Sequence, residues 1–247
     1  MNYKFCAVLA ACSILFCNTA LAKKDTKKEP PKPAANTIFT AVNTEAAEAA
    51  KTKAKVVTCE ELKEICDNTK GPIKKLYLHW TAHNHKMTFK AYHINITGDG
   101  QIVMTCNKLT DLKPHTWRRN TEAVGISMCA AKGSRLVNYK KKPFDIKWGK
   151  YPPTQAQINT MAKVVAILSD SFNIEINKKN VMTHYEAAII DHYAPGDLDY
   201  DMRWDLSYIV DPELTDRLVP GGDVIRYKAM WYKLALKDFK PETAAKK

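Results

Sequence analysis

Four short apolar segments between residues 74 and 129 constrain the fold of this chain more than any other feature. Each has the length, the apolar character and the β-branched or aromatic residues that are typical of a buried strand. A Gly-Asp-Gly turn at 98–100 predicts that the second and third segments form a hairpin. The segments are KKLYLHW at 74–80, AYHINI at 91–96, QIVMTC at 101–106 and AVGISMC at 123–129.

Two capping-box patterns predict where helices begin. In this pattern a Thr side chain and a Glu or Gln three residues later each bond the other residue's backbone N–H. TCEE at 58–61 opens a short helix through Cys66, and TQAQ at 154–157 opens a long helix to about Phe172. A further short strand is expected at 180–183. Because strands and helices alternate without a regular βαβ rhythm, we predict an α/β or α+β fold, with α/β preferred: a single mixed β-sheet flanked by helices.

The amino-terminal residues do not have the composition of a folded core. Residues 1–22 combine a basic start, an apolar run at 5–17 and a small-residue cleavage pattern, which is the layout of a secretory signal peptide; a lipid-attachment box at Cys12 is the alternative. Residues 23–55 are rich in Lys, Pro and Ala, so we expect a disordered basic linker. The apolar run is too short to span a bilayer comfortably, so no transmembrane span is expected in the mature chain, and we predict a protein that is exported to the periplasm or secreted.

The folded domain is expected over residues 56–240, followed by a tail at 241–247. Hydrophobic residues make up 45% of the chain and charged residues 26%, which excludes a fully disordered chain and a multi-span membrane protein. The formal net charge of +12 suits an anionic polymer. Since export favours a cell wall over nucleic acid as that polymer, we expect no nucleic-acid partner. The oligomeric state is not predicted.

Four cysteines remain once the predicted signal is removed. An even number in an oxidising compartment permits two disulfides. We expect pairing between neighbours, Cys59 with Cys66 and Cys106 with Cys129, and four buried thiols are the alternative. The sequence contains no CxxC motif, so it does not predict a thiol-based zinc site.

Two histidines are expected where a buried strand meets a loop. His79 follows the apolar residues 76–78, and His184 follows 181–183. Sites on a sheet usually lie at such strand ends. A catalytic zinc site needs a third protein ligand and one position for water. Spacing leaves the third ligand open among Asp191, His192, Asp197, Asp199, Asp201 and Asp205.

Five motifs carry a family resemblance. In chain order they are HWTA at 79–82, AYHINI with GDG at 91–100, PHTWRRNT with VGIS at 114–127, the helix start TQ at 154–155, and THYE at 183–186. Together they resemble the zinc-dependent N-acetylmuramoyl-L-alanine amidases of the type-2 family, which share a fold with peptidoglycan recognition proteins. The similarity covers roughly residues 72–210.

The resemblance implies that His79 and His184 are zinc ligands. The family's third ligand is an acidic or thiol residue with a basic residue two positions earlier. Arg203-Trp204-Asp205 has this pattern, so Asp205 is the expected third ligand.

The sequence departs from the family after His184. The gap to Asp205 is longer than usual, and no Pro-Gly pair follows Asp205. The Pro-Gly pair at 195–196 keeps His192 as the alternative ligand. With Asp205 as ligand, residues 185–202 would form an inserted loop.

The resemblance also implies catalytic roles for Tyr92 and Arg203. Tyr92 matches the family's catalytic tyrosine, and Arg203 stands where the family has a lysine that stabilises the oxyanion. Some members carry a glutamate where this chain has Ser127, so the resemblance favours Tyr92 as the catalytic group. Glu186 is a candidate hydrogen-bond acceptor for a ligand histidine. The residues expected to bind the muropeptide are His115, Trp117, Arg118 and Asn120.

The predicted function is that of an exported zinc amidase. It would hydrolyse the amide bond between N-acetylmuramic acid and L-alanine in peptidoglycan, with the glycan strand and the stem peptide as its partners. A non-catalytic peptidoglycan-binding module of the same fold is the alternative.

Overall fold

A computed structural model describes residues 54–138, 145–194 and 203–238 of the chain. The predicted signal at 1–22, most of the predicted linker, the Pro-Gly pair at 195–196 and the predicted tail lie outside these residues. Within the described part, no helix has both the length and the apolar character needed to cross a bilayer.

The described strands are β1 Lys55–Val57, β2 Lys75–Trp80, β3 Ile94–Ile96, β4 Ile102–Met104, β5 Ala123–Met128, β6 Arg135–Val137, β7 Asp145–Lys147, β8 Val181–Thr183, β9 Tyr208–Asp211 and β10 Thr215–Pro220.

Six of these strands form one mixed sheet in the order β1-β4-β3-β5-β2-β8. β4 is antiparallel to β1 and to β3, as the predicted turn between β3 and β4 requires. β3, β5, β2 and β8 pair in parallel, so their carboxyl ends lie at one edge of the sheet. Two hairpins, β6–β7 and β9–β10, stand apart from this sheet. The predicted α/β fold with a single mixed main sheet is confirmed.

Helices begin at capping boxes in three places. The described helices are α1 Cys59–Asn68, α2 Gln155–Ser171, α3 His184–Ile190 and α4 Gly221–Asp238. The predicted capping boxes precede α1 and α2, and a third, formed by Thr183 and Glu186, precedes α3. α2 packs against both α1 and α4.

Alternating side chains on β2 separate the core from the site. Leu76, Leu78 and Trp80 belong to the main core, to which α2 contributes. Tyr77 lies in a separate small cluster with α3. Because successive side chains of a strand point to opposite faces, His79 shares the face of Tyr77. The helical layer of α2 therefore covers one face, and the chemistry-bearing side chain projects from the other.

Two sequence predictions need correction. The strand predicted at 91–96 begins only at Ile94, because the N–H of Tyr92 donates to the carbonyl of Phe89 and closes a turn. The inserted loop predicted at 185–202 begins instead as α3, since the Thr183 capping box supplies a helix start there. The rest of that segment, from 195 onward, lies outside the described residues.

The predicted disulfide pairing is wrong, because the four cysteines of the described residues are free. Cys59 and Cys66 lie seven residues apart in α1, which separates their Cα atoms by about 10 Å. A disulfide needs Cα atoms within about 7 Å.

Cys106 and Cys129 lie at opposite ends of β3. The Sγ of Cys106 approaches the carbonyl oxygen of His93, just before that strand, whereas the N–H of Cys129 donates to Ile96, its last residue. Burial raises the pKa of both thiols to about 12, so they are protonated and unreactive at neutral pH.

Candidate metal centre

The sheet and the start of α3 bring two histidines together. His79 is the fifth residue of β2, and His184 is the first residue of α3, directly after the neighbouring parallel strand β8. Asp205 reaches the same place from the segment before β9, where its backbone carbonyl accepts a hydrogen bond from the N–H of Tyr185 at 3.3 Å. Adjacent parallel strands thus account for the histidine pair, and a backbone contact holds the carboxylate beside it.

Three potential ligand atoms form a nearly equilateral triangle. Nδ1 of His79 lies 3.1 Å from Nδ1 of His184 and 3.4 Å from Oδ2 of Asp205, and the remaining side is 3.3 Å. A tetrahedral zinc ion with bonds of about 2.0–2.1 Å separates its ligand atoms by about 3.3 Å. Within the described ranges, this is the only group of His, Cys, Asp or Glu side chains that could hold a metal ion. The donor set and its spacing fit zinc.

The charges of His79 and Asp205 also suit a divalent cation. Burial lowers the pKa of His79 to about 4, so its imidazole is neutral at pH 7, the form in which histidine binds metals. Burial opposes ionisation of Asp205, but hydrogen bonds and charge interactions with His184 and His79 outweigh it and hold the pKa of the carboxyl below its ordinary range. The side chains of His184 and Asp205 are 9% and 15% exposed, so the cluster is largely buried and reaches solvent only through these two residues.

Tyr92 and Arg203 lie next to this cluster. The ring of Tyr92 stands 5.0 Å from that of His79. Burial raises the pKa of Tyr92, the charge of Asp205 adds to that effect, and a hydrogen bond with Ser127 opposes it; the net result is a neutral phenol. Arg203 is exposed, and its positive charge acts on both His79 and Tyr92, lowering the pKa of each. The arrangement places a hydroxyl and a guanidinium near one potential metal position.

A family model described as N-acetylmuramoyl-L-alanine amidase matches residues 69–197, which is more than half of the chain. The chain belongs to the type-2 family of N-acetylmuramoyl-L-alanine amidases. It is therefore an amidase-type hydrolase whose substrate class is peptidoglycan. The match includes His79, Tyr92 and His184 and ends before Asp205, so the acidic member of the cluster is identified by geometry. No curated protein and no solved structure gives a significant match.

Trp117 and Arg118 of the amidase form an exposed platform beside the cluster. Trp117 is 52% exposed, and the Arg118 guanidinium lies 4.3 Å from the centre of its ring. The rings of Trp117 and Tyr193 pack edge to face with their centroids 5.5 Å apart, and the centroid of Tyr193 in turn lies 6.0 Å from that of His184. Tyr193 is a contact that sequence reasoning missed, because nothing in the sequence brings residue 193 next to residue 117.

His115 and Asn120, which are expected to bind the muropeptide, lie in the loop that carries Trp117. His115 is only 5% exposed, and its Nδ1 lies 2.9 Å from the hydroxyl of Thr116. The side-chain oxygen of Asn120 accepts hydrogen bonds from the N–H groups of His115 and Thr116 at 3.2 and 2.8 Å. These contacts organise the loop that carries Trp117, and the expected binding of the muropeptide by either side chain stays a prediction.

Glu186 and His192 lie away from the three ligand atoms. Glu186 accepts a hydrogen bond from the N–H of Thr183 and forms two with Arg226 of α4, at 2.8 and 2.7 Å, so it fixes the start of α3. His192 is exposed and adopts a left-handed backbone with φ of 59° just after α3. The carboxylate that meets the two histidines is that of Asp205.

Proposed function

We propose that this amidase is an exported, zinc-dependent enzyme that hydrolyses the amide bond between N-acetylmuramic acid and L-alanine. The observation that carries the proposal is the triangle of ligand atoms from His79, His184 and Asp205, whose sides of 3.1–3.4 Å match a tetrahedral zinc site. The family supplies the substrate class. Residues 1–22, with their signal-peptide layout, support export.

The combined charge of the three proposed ligands suits hydrolysis. Two neutral imidazoles and one carboxylate would leave a bound zinc ion with a net positive charge. When bound, zinc supplies a Lewis acid that polarises the scissile carbonyl and lowers the pKa of a water molecule towards neutrality. Of the three side chains, His184 and Asp205 keep a small exposed fraction, through which water and substrate would reach the ion.

Tyr92 and Arg203 are the proposed catalytic side chains. As a neutral phenol, Tyr92 donates a hydrogen bond to the attacking water or to the oxygen of the tetrahedral intermediate. Arg203 stabilises the negative charge that develops on that oxygen. Donors of this kind are typically worth about 10²–10³ in rate.

Substrate recognition is assigned to the platform of Trp117 and Arg118. An aromatic face suits a sugar ring, and a guanidinium suits a carboxylate of the stem peptide. The net charge of +12 favours association with an anionic wall. His115 and Asn120 support the platform by shaping its loop.

The experiment uses the mature protein and purified peptidoglycan. Release of peptides with a new amino-terminal alanine, its loss with a chelator and its recovery with zinc are the expected results. Mass spectrometry of the products identifies the bond. Binding to peptidoglycan without peptide release would instead support the non-catalytic binding module.

A further inference from the structure

Three buried side chains form a hydrogen-bonded chain that ends at His79. The hydroxyl of Thr116 lies 2.9 Å from Nδ1 of His115 and 3.3 Å from Nε2 of His79. The three residues are 2%, 5% and 0% exposed, respectively. Water therefore cannot readily replace any of these hydrogen bonds.

The position of the proton on His79 decides whether its Nδ1 can bind a metal. Nδ1 faces Nδ1 of His184 and the carboxylate of Asp205, so it must carry no proton when it acts as a ligand. A neutral imidazole then carries its proton on Nε2. Among the described residues, the hydrogen-bond partner of Nε2 is the hydroxyl of Thr116.

The Thr116 hydroxyl can accept a hydrogen bond from Nε2–H of His79 because its own proton is donated to a different atom. With Nε2–H of His79 donating to Thr116, the Thr116 hydroxyl donates to Nδ1 of His115. In this direction His79 and Thr116 are satisfied, while His115, which accepts at Nδ1, carries its proton on Nε2, a buried nitrogen that forms no hydrogen bond of normal geometry with the described residues.

The surrounding residues hold this chain in place. The side chain of Asn120 accepts hydrogen bonds from the backbone N–H groups of His115 and Thr116. The ring of His115 packs against Gly125 of β5, where a Cβ would stand 2.6 Å from the imidazole Cγ. Because the ring occupies the space of a missing side chain, His115 can stay within reach of Thr116.

We propose that Thr116, supported by His115, is a positioning residue that stabilises the tautomer of His79 competent for metal binding. The inference rests on the proposed zinc-dependent function. Without the hydroxyl, a buried Nε2–H has no acceptor, and the proton moves to Nδ1, where the carboxylate of Asp205 attracts it. Metal binding must then displace that proton. Loss of a hydrogen-bond partner behind a metal ligand typically lowers metal affinity by about 10- to 100-fold.

The test compares Thr116→Val, which has nearly the same shape but no hydroxyl, with Thr116→Ser, which keeps it. Zinc affinity is measured by chelator competition, and the tautomer of His79 by ¹⁵N NMR of the metal-free proteins. We expect Thr116→Val to weaken zinc binding by about 10- to 100-fold and to lower the Nε2–H population. Thr116→Ser should retain most of both properties. Thr69→Val is the control, since it removes a hydroxyl that donates to the carbonyl of Ile65 in α1.

The outcomes separate this inference from the proposed function. Equal zinc affinity and equal tautomer populations in Thr116→Val and the unmodified protein would overturn the inference. Equal losses in Thr116→Ser and Thr116→Val would also overturn it, because they would indicate a packing role. If the unmodified protein bound no zinc, the proposed function would fail, while the NMR comparison of the metal-free proteins would still decide the role of Thr116.

Discussion

His79 and His93 are both fully buried beside the same sheet, and burial lowers the pKa of both to about 4. Their ring nitrogens have different partners. Nε2 of His93 donates to the carbonyl of Asp111 at 2.7 Å, and its Nδ1 accepts from the N–H of Gly125 at 3.0 Å. Nδ1 of His79 instead faces Nδ1 of His184 at 3.1 Å. Burial and a low pKa therefore do not distinguish the two residues.

The hydrogen-bond partners of the ring nitrogens, and not burial, separate a structural histidine from a candidate ligand. The backbone groups around His93 use both of its nitrogens, so that ring holds two loops to the sheet and has no free lone pair. The single hydroxyl behind His79 uses only one nitrogen and leaves the other directed at a carboxylate. A substitution at either histidine should therefore change a different property of the protein.

The largest effect is expected from Asp205→Ala, which removes the carboxylate that faces His79. The two remaining imidazoles make too few ligands for a stable zinc site, so both zinc binding and peptide release should fall to background. Zinc content after dialysis and the peptidoglycan assay measure the two losses. His192→Ala is the matched control, because it removes the exposed alternative ligand. Retention of zinc by Asp205→Ala, or its loss in His192→Ala, would refute the assignment.

A smaller effect is expected from Tyr92→Phe, which keeps the ring beside His79 and removes the hydroxyl. The value of kcat should fall by about 10²–10³, while the zinc content stays the same, because the hydroxyl acts in the transition state and is not a ligand. Tyr227→Phe, on the exposed side of α4, is the control. An unchanged kcat would remove Tyr92 from the mechanism.

The structural role of His93 is tested by the pH dependence of the free energy of unfolding. The pKa of His93 is lower in the folded protein, about 4, than its ordinary value of 6.5. Protons therefore bind preferentially to the unfolded chain, and the stability that His93 contributes is complete above pH 6.5 and is lost as the pH falls towards 4. The loss is about 3 kcal/mol over that window.

His93→Gln should flatten this dependence, although it lowers the free energy of unfolding at pH 7. Urea denaturation of the metal-free protein between pH 7 and pH 4 measures both changes, with His192→Gln as the exposed control. A pH dependence as steep in His93→Gln as in the unmodified protein would show that the acid sensitivity arises elsewhere.

Gly125→Ala tests both histidines at once, because Gly125 contacts His93 and also His115, which belongs to the chain behind His79. Its N–H donates to His93, and the absence of a Cβ makes room for the ring of His115. An added methyl group should displace that ring and destabilise the protein by about 1–3 kcal/mol. Zinc affinity should also fall, since the chain behind His79 is disturbed. Thermal unfolding and chelator competition measure the two effects; loss of stability with full zinc affinity would separate His115 from the metal centre.

Local patterns predicted much of the fold. The four apolar segments gave β2 to β5 within a few residues, and the two predicted capping boxes gave the starts of α1 and α2. The third box, Thr183 with Glu186, lies within the THYE motif and could have predicted α3. The hairpins β6–β7 and β9–β10 were missed, since β6, β7 and β10 carry exposed polar residues and β9 spans only four residues.

The sequence by itself determined the two candidate histidines, because imidazoles at the ends of buried strands are a local feature, and the family resemblance added a carboxylate that follows a basic residue. Only the tertiary structure decided that Asp205, and not His192, meets His79 and His184, since no local pattern specifies how a distant segment folds back onto the sheet. The same holds for Thr116. A hydroxyl becomes a partner of a buried ring only when packing brings the two within hydrogen-bond distance and excludes the water that would otherwise compete.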